Sequence, residues 1–165
     1  MNLIAKLLPS TNIALELEVS SKKRMFEQAG LVFENHQGIG RSVVFDSLFA
    51  RERLGSTGLG QGIAIPHGRI KGLKEAVGAF LRLATPVAFD APDGQPVKLV
   101  FVLLVPEQAN ETHLQILSML AQMFSDRDLR ARLADETDPA RLLQAIADWS
   151  PDRPSHVPDQ RRAAG

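Results

Sequence analysis

Cysteine does not occur in this chain of 165 residues, so neither a disulfide framework nor thiolate chemistry is available to it. It also has no excess of charge of either sign. Nineteen basic and nineteen acidic side chains cancel, which gives no electrostatic grip on a polyanion or on lipid headgroups. Aromatics make up 5% of the residues and are not interleaved with basic clusters, which leaves nucleic-acid binding without support. No apolar run approaches the ~18 residues of a membrane span. Met1-Asn2-Leu3 opens no basic segment followed by an apolar one, so no secretory leader is expected. Repeats, low-complexity segments and inner linkers are missing too. These absences leave a soluble cytoplasmic globular protein as the expectation, with a length suited to one domain burying roughly two-thirds of its unfolded surface.

The sequence is dense in glycine at one place. Gly55-Ser56-Thr57-Gly58-Leu59-Gly60-Gln61-Gly62 holds four of the twelve glycines in eight residues. Ile63-Ala64-Ile65 and then Pro66-His67-Gly68 follow it. Glycine permits positive φ and close backbone approach. Residues 63–65 read as a short buried strand ended by Pro66, which has no N–H for a ladder. His67 is then expected at a strand end, ringed by small residues on a loop of the kind that carries chemistry.

Around that stretch the periodicity alternates between strand and helix. Residues 2–8 suit one or two helical turns before Pro9. Ile13, Leu15, Leu17 and Val19 alternate with Ala14, Glu16 and Glu18, the period of a strand with one wet face. Ser20 or Ser21 can cap a helix to about His36, with Met25, Phe26, Ala29, Val32 and Phe33 on one stripe. Gly38 and Gly40 break it, and Ser42 opens a second helix ending before Gly55, with Val44, Phe45, Leu48 and Phe49 inward. Residues 76–83 predict a strand broken at Thr85-Pro86, and Phe89 to Pro96 is turn chemistry with an Asp-Gly and two prolines. Residues 97–105, apolar except for Lys98, predict a central strand covered on both faces and ended by Pro106. Next comes a helix capped by Asn110 or Thr112, with Leu117, Leu120, Ala121 and Phe124 buried. Helices over 126–134 and 139–149, the latter capped by Asp138, complete the domain at 1–149. Residues 150–165, with three prolines and five charged groups, predict a disordered tail. Interleaved strands and helices give an α/β fold class: a single domain with a mixed β-sheet flanked by helices.

Which side chains could act? Of the four histidines, His36 lies at a helix end and His156 in the tail, so both are read as solvated. His67 and His113 never fall in metal-ligand spacing, and no metal or cofactor is called for. The glycine stretch misses the Gly-x-Ser-x-Gly of a hydrolase elbow, the Gly-Lys-Ser/Thr of a P-loop and the dinucleotide fingerprint. His113 sits in the first turn of its helix on the inward stripe. It is either a core-edge histidine satisfied by one hydrogen bond or a group placed where a helix start favours an anion. Arg51 follows the inward stripe in its helix's last turn and points towards the glycines, either as a snorkelling side chain or as a donor. One chemistry stays attractive. A neutral imidazole with little bulk around it can accept a phosphoryl group if Arg51, backbone N–H groups, Ser56 or Thr57 and the helix start at His113 supply donors.

The run Arg51-Glu52-Arg53-Leu54-Gly55-Ser56-Thr57-Gly58-Leu59-Gly60-Gln61-Gly62-Ile63-Ala64-Ile65-Pro66-His67-Gly68 resembles the signature of the fructose/mannitol-type IIA domains of the bacterial phosphotransferase system, and most closely those of its stand-alone nitrogen branch. Thr85-Pro86-Val87-Ala88-Phe89-Asp90-Ala91, Gln95-Pro96-Val97, Leu103-Leu104-Val105-Pro106 and Thr112-His113-Leu114 match as well, so the resemblance covers residues 3–148. It implies a mixed sheet flanked by helices. It further implies His67 as the phosphorylated nucleophile, His113 as its assistant, Arg51 as the site arginine, and Ser56 and Thr57 as hydrogen-bond partners of the phosphoryl group. The implied donor is an HPr-like phosphohistidine carrier supplied by phosphoenolpyruvate. Phosphorylation would then control partners such as potassium transporters or sensor kinases, with nitrogen regulation as the setting. Because no IIB or membrane domain is fused within these residues, a regulatory phosphocarrier is expected. The alternatives are a sugar-transport IIA subunit that passes phosphate to a IIB domain and an interaction module that is never phosphorylated.

Overall fold

A strand without a wet face needs cover on both sides, and the chain supplies two helical layers for it. The structure, a computed structural model, describes residues 2–108 and 111–152. Its elements run α1 (Leu3–Lys6), β1 (Ile13–Leu17), α2 (Lys22–Gln37), α3 (Arg41–Glu52), β2 (Gly58–Gly60), β3 (Ile63–Ala64), β4 (His67–Ile70), β5 (Val77–Val87), β6 (Val97–Pro106), α4 (Glu111–Phe124), α5 (Arg127–Asp135) and α6 (Pro139–Asp148). The sheet order is β1-β5-β6-β3-β2, and β4 also pairs with β6. β1 runs parallel to β5, and β5 antiparallel to β6. The other edge of β6 is shared lengthwise: β3 pairs in parallel at Leu99 and Val100, β4 at Leu103 to Pro106. β2 folds back antiparallel on β3. This is the mixed sheet between helices that the sequence predicts.

Side-chain alternation on β6 divides the core. Leu99, Phe101, Leu103 and Val105 pack with α1, α4, α5 and α6. Val100, Val102 and Leu104 pack with Met25, Phe26, Phe33, Val44 and Leu48 of α2 and α3. The helix starts follow the expected caps: Ser21 accepts from the Arg24 N–H, and Asp126 and Asp138 do the same for α5 and α6, with Pro139 in the first turn of α6.

Several expectations are corrected. β1 does not keep one wet face. Glu16 has φ 54° and the register slips between Ala14 and Leu17, so Ile13 and Leu15 face one core while Leu17 and Val19 join the other. β5 runs through Thr85-Pro86 to Val87; its pairing with β6 becomes irregular between Arg82 and Val87, and an irregular ladder tolerates a residue without an N–H. The glycine stretch is not all loop, since Gly58–Gly60 is a strand. α3 begins at Arg41 after Gly40, one residue before Ser42. In α4 the buried stripe is Ile116, Leu120, Met123 and Phe124, while Leu117 is half-buried and Ala121 exposed. Thr112 lies inside the first turn of α4, and the other expected cap, Asn110, lies outside the described residues, as does 153–165 of the expected tail.

Gly68 shows why Pro-His is followed by glycine. A Cβ there would collide with the Ser47 side chain and come 3.1 Å from the Ser47 carbonyl carbon, because α3 lies directly on β4. The Ser47 hydroxyl donates to the Arg69 carbonyl at 2.9 Å across this contact. Gly68→Ala is therefore expected to cost about 1–3 kcal/mol through overpacking, read by chemical denaturation. An unchanged midpoint would mean that α3 does not bear on β4.

Candidate active site

β4 carries His67 at its first position, paired with Leu103 of β6. Pro66 separates β3 from β4 instead of ending the sheet there, and its carbonyl still accepts the Leu103 N–H at 2.9 Å. His67 thus opens a strand, where the sequence predicts it just past one. Its ring is half-buried, and Nδ1 lies 2.9 Å from the Ile65 carbonyl. A carbonyl can only accept, so Nδ1 carries the proton and Nε2 keeps its lone pair.

His113, on α4, meets this ring edge-on, with centroids 5.4 Å apart and planes at 64°. The structure therefore brings together two histidines that are 46 positions apart in sequence, on different elements. The His113 Nε2 is buried and has no hydrogen-bond partner among the described residues. Such an orphan is costly unless something reaches it. His113 also lines a cleft of about 520 Å³ with Lys6, Lys74 and Ile116; His67 is not among the residues that line it.

Arg51 is half-exposed, not buried on the inward stripe, and its Nη1 donates to the Gly55 carbonyl at 2.8 Å. A guanidinium has five N–H donors, so this bond leaves others to offer. Ser56 donates to the Phe89 carbonyl at 2.7 Å and accepts from the Gly58 N–H at 3.0 Å. Thr57 is buried and its hydroxyl donates to Glu52 at 2.7 Å. Both hydroxyls are committed to bonds that anchor the loop to its surroundings. Among the described residues no three histidine, aspartate or glutamate side chains gather as metal ligands.

Three charged residues near the site were not singled out from sequence. Glu52, at the end of α3, is the buried one of the Arg51-Glu52 pair, and Lys22 of α2 contacts it at 2.9 Å. Arg69, two residues beyond His67 on the same strand face, donates to the Glu107 carbonyl at 2.8 Å and stands near enough to His113 to affect its protonation. The period of two along β4 is the one sequence signal that could have found Arg69.

Electrostatics keep both rings neutral. Burial holds the His67 imidazole below its ordinary value of 6.5, and the Arg51 charge adds to this; the bond to Ile65 and the Glu52 carboxylate oppose it. Burial likewise lowers His113, helped by His67 and Arg69. Both histidines are therefore expected to titrate below 6.5 by NMR. In His67→Ala the His113 midpoint should rise, because part of its burial is lost and the repulsion it would meet from a protonated His67 at low pH is removed with it. An unmoved His113 midpoint would contradict the coupling of the two rings.

The geometry presents a neutral, singly tethered imidazole with a second histidine against it and an arginine beside it. Residues 6–149 match the family described as "Phosphoenolpyruvate-dependent sugar phosphotransferase system, EIIA 2". A nitrogen regulatory protein of Pseudomonas aeruginosa is 48% identical over 129 residues, covering 78% of this chain and 84% of that one. Among solved structures, the nitrogen regulatory protein IIA-Ntr from Neisseria meningitidis superposes with a TM-score of 0.83 at 52% identity, over 88% of this chain and 99% of that one. Enzyme IIAMTL from Escherichia coli, solved in complex with phosphorylated enzyme IIBMTL, shares the fold with a TM-score of 0.72 at 23% identity, over 86% and 99% of the two chains. On the length of the family match and the identity to these relatives, the chain belongs to the EIIA type 2 family of the phosphoenolpyruvate-dependent phosphotransferase system.

Proposed function

We propose that the protein is a phosphocarrier of the nitrogen-regulatory branch, working in the cytoplasm, in which His67 Nε2 accepts a phosphoryl group from an HPr-like phosphohistidine. The observation that carries the reading is the bond from Nδ1–H to the Ile65 carbonyl, which leaves Nε2 as the nitrogen with a free lone pair. In the step, that lone pair forms a P–N bond as the P–N bond of the donor breaks. The leaving electron pair returns to the donor imidazole, which departs neutral. The positive charge that develops on the His67 ring is held at Nδ1–H by the Ile65 carbonyl. Arg51 offers guanidinium donors to the transferred oxygens, and His113 donates to them as Nε2–H from the nitrogen that has no partner among the described residues. Ser56 and Thr57 are assigned as support for the phosphoryl-binding loop, whose shape their hydroxyls fix.

Depressed histidine titration favours this role, because the nucleophile stays unprotonated through neutral pH. A phosphorylated His67 would carry added negative charge and acceptor oxygens on a shallow surface, enough to change which proteins bind it. Regulated partners of the transporter or sensor-kinase type fit this reading. Similarity to nitrogen regulatory proteins supports the regulatory role over sugar uptake. The fold shared with an enzyme IIA solved on its phosphorylated IIB partner keeps transfer to a IIB domain as the second reading.

Intact-protein mass after incubation with phosphoenolpyruvate and the upstream carriers, without acid, tests the proposal. One added phosphoryl group is expected on the wild type and none on His67→Ala. An unlabelled wild type, beside a IIA protein labelled in parallel, would leave a binding module as the better account.

A further inference from the structure

Buried carboxylates are costly unless every lone pair has a use, and Glu52 has several. Its side chain is 4% exposed and that of Lys22 is 18% exposed, with Nζ at 2.9 Å from Oε2. The Thr57 N–H donates to Oε2 at 3.1 Å, and the Thr57 hydroxyl to Oε1 at 2.7 Å. The Lys22 ammonium is itself held, 4.6 Å over the Phe89 ring and 3.7 Å from Asp90. The cluster joins the start of α2 to the end of α3 and to the glycine loop.

From Thr57 the bonding continues to the reactive ring. The Thr57 carbonyl accepts the Ile65 N–H at 3.0 Å, and the Ile65 carbonyl accepts Nδ1–H of His67 at 2.9 Å. Two residues, Thr57 and Ile65, thus stand between a buried anion and the tethered nitrogen, each donating its N–H on one side and accepting at its C=O on the other. Each residue's N–H and C=O belong to different planar peptide groups joined at Cα, so what passes along the series is position: each bond fixes where the next residue sits.

We propose that the Lys22–Glu52–Thr57 cluster is the positioning device of the phosphoryl site, with Glu52 its central residue. Through the backbone bonds of Thr57 and Ile65 it positions the carbonyl that holds the His67 ring as the Nδ1–H tautomer and aims Nε2 outward. Glu52 touches neither His67 Nε2 nor a transferred group in this role; it acts through the loop. The inference rests on the phosphocarrier reading for its rate consequence, but its structural consequence can be read without any transfer.

The test compares the wild type, Glu52→Gln, Thr57→Val and Thr57→Ser. Single-turnover transfer from an HPr-type carrier, phosphorylated by enzyme I and phosphoenolpyruvate, gives kcat and KM for the donor. Long-range proton–nitrogen NMR of His67 gives the tautomer and the titration midpoint. Glu52→Gln is expected to lower kcat about 10-fold at nearly unchanged KM, because misplacing a nucleophile costs rate more than docking. Thr57→Val should show a smaller loss of the same kind, which Thr57→Ser recovers in part by restoring the hydroxyl. In Glu52→Gln the Nδ1–H tautomer should lose population and the His67 midpoint should fall further, since a negative charge and an ordered acceptor are both weakened. A loosened site would instead expose the ring and raise the midpoint towards 6.5. That rise, an unchanged tautomer, or a rate loss no larger than the loss of folded protein would overturn the proposal. An unphosphorylated wild type would refute the carrier reading alone, and the NMR outcome would still decide the positioning role.

Discussion

The pairing of β6 on both edges, with both of its faces buried, is the constraint on which the rest of the structure depends. One edge is filled by β5; the other is divided between β3 and β4, with Pro66 at the junction. Burial on both faces forces helical layers on each side, and the layers end near the same place. α3 reaches the glycine loop with Arg51 and Glu52, and α4 begins with His113 in its first turn. The site is the point where a divided sheet edge meets the ends of two helices on opposite faces.

Placement there meets two demands that the proposed role of phosphoryl acceptor makes on His67. The ring must lose enough water to remain neutral, yet it must stay reachable by another protein. Half-burial against the sheet meets the first demand, with the Arg51 charge as a secondary influence. The second is met by a neighbourhood of small residues, whose glycines also answer packing needs: a Cβ at Gly58 would lie 2.9 Å from the Ala91 Cβ. A motif of this kind therefore records backbone contacts as much as chemistry. Glu52 opposes Arg51 electrostatically at His67 while fixing the loop, so adjacent residues of one helix end exert opposite influences on the same ring.

Much of this was readable in the sequence because local signals and tertiary demands agree. The unbroken apolar run of β6, the caps at Ser21, Asp126 and Asp138, and the glycine-rich approach to His67 each carry their own physical reason. For His113 the residues offer only a helix start that could supply a donor to His67, and the resemblance adds the pairing of the two rings, since nothing local joins them. What the sequence hid depended on distant partners. Glu52 looks like a solvated acid until Lys22, 30 positions away, and Thr57 are seen to bury it. The bulge at Glu16 breaks a clean alternation with a positive φ on a residue that seldom adopts one, so periodicity alone put Leu17 and Val19 on the wrong face. Pro86 reads as a strand end because the irregular ladder that tolerates it cannot be inferred from β5 alone.

The central claim is that the tether to Ile65 decides which nitrogen reacts, and phosphorus–nitrogen correlation NMR of the phosphorylated, nitrogen-15-labelled protein addresses it directly. The account predicts coupling from phosphorus to Nε2 of His67, with the proton still on Nδ1. Phosphorus on Nδ1, or on any other residue, would contradict it.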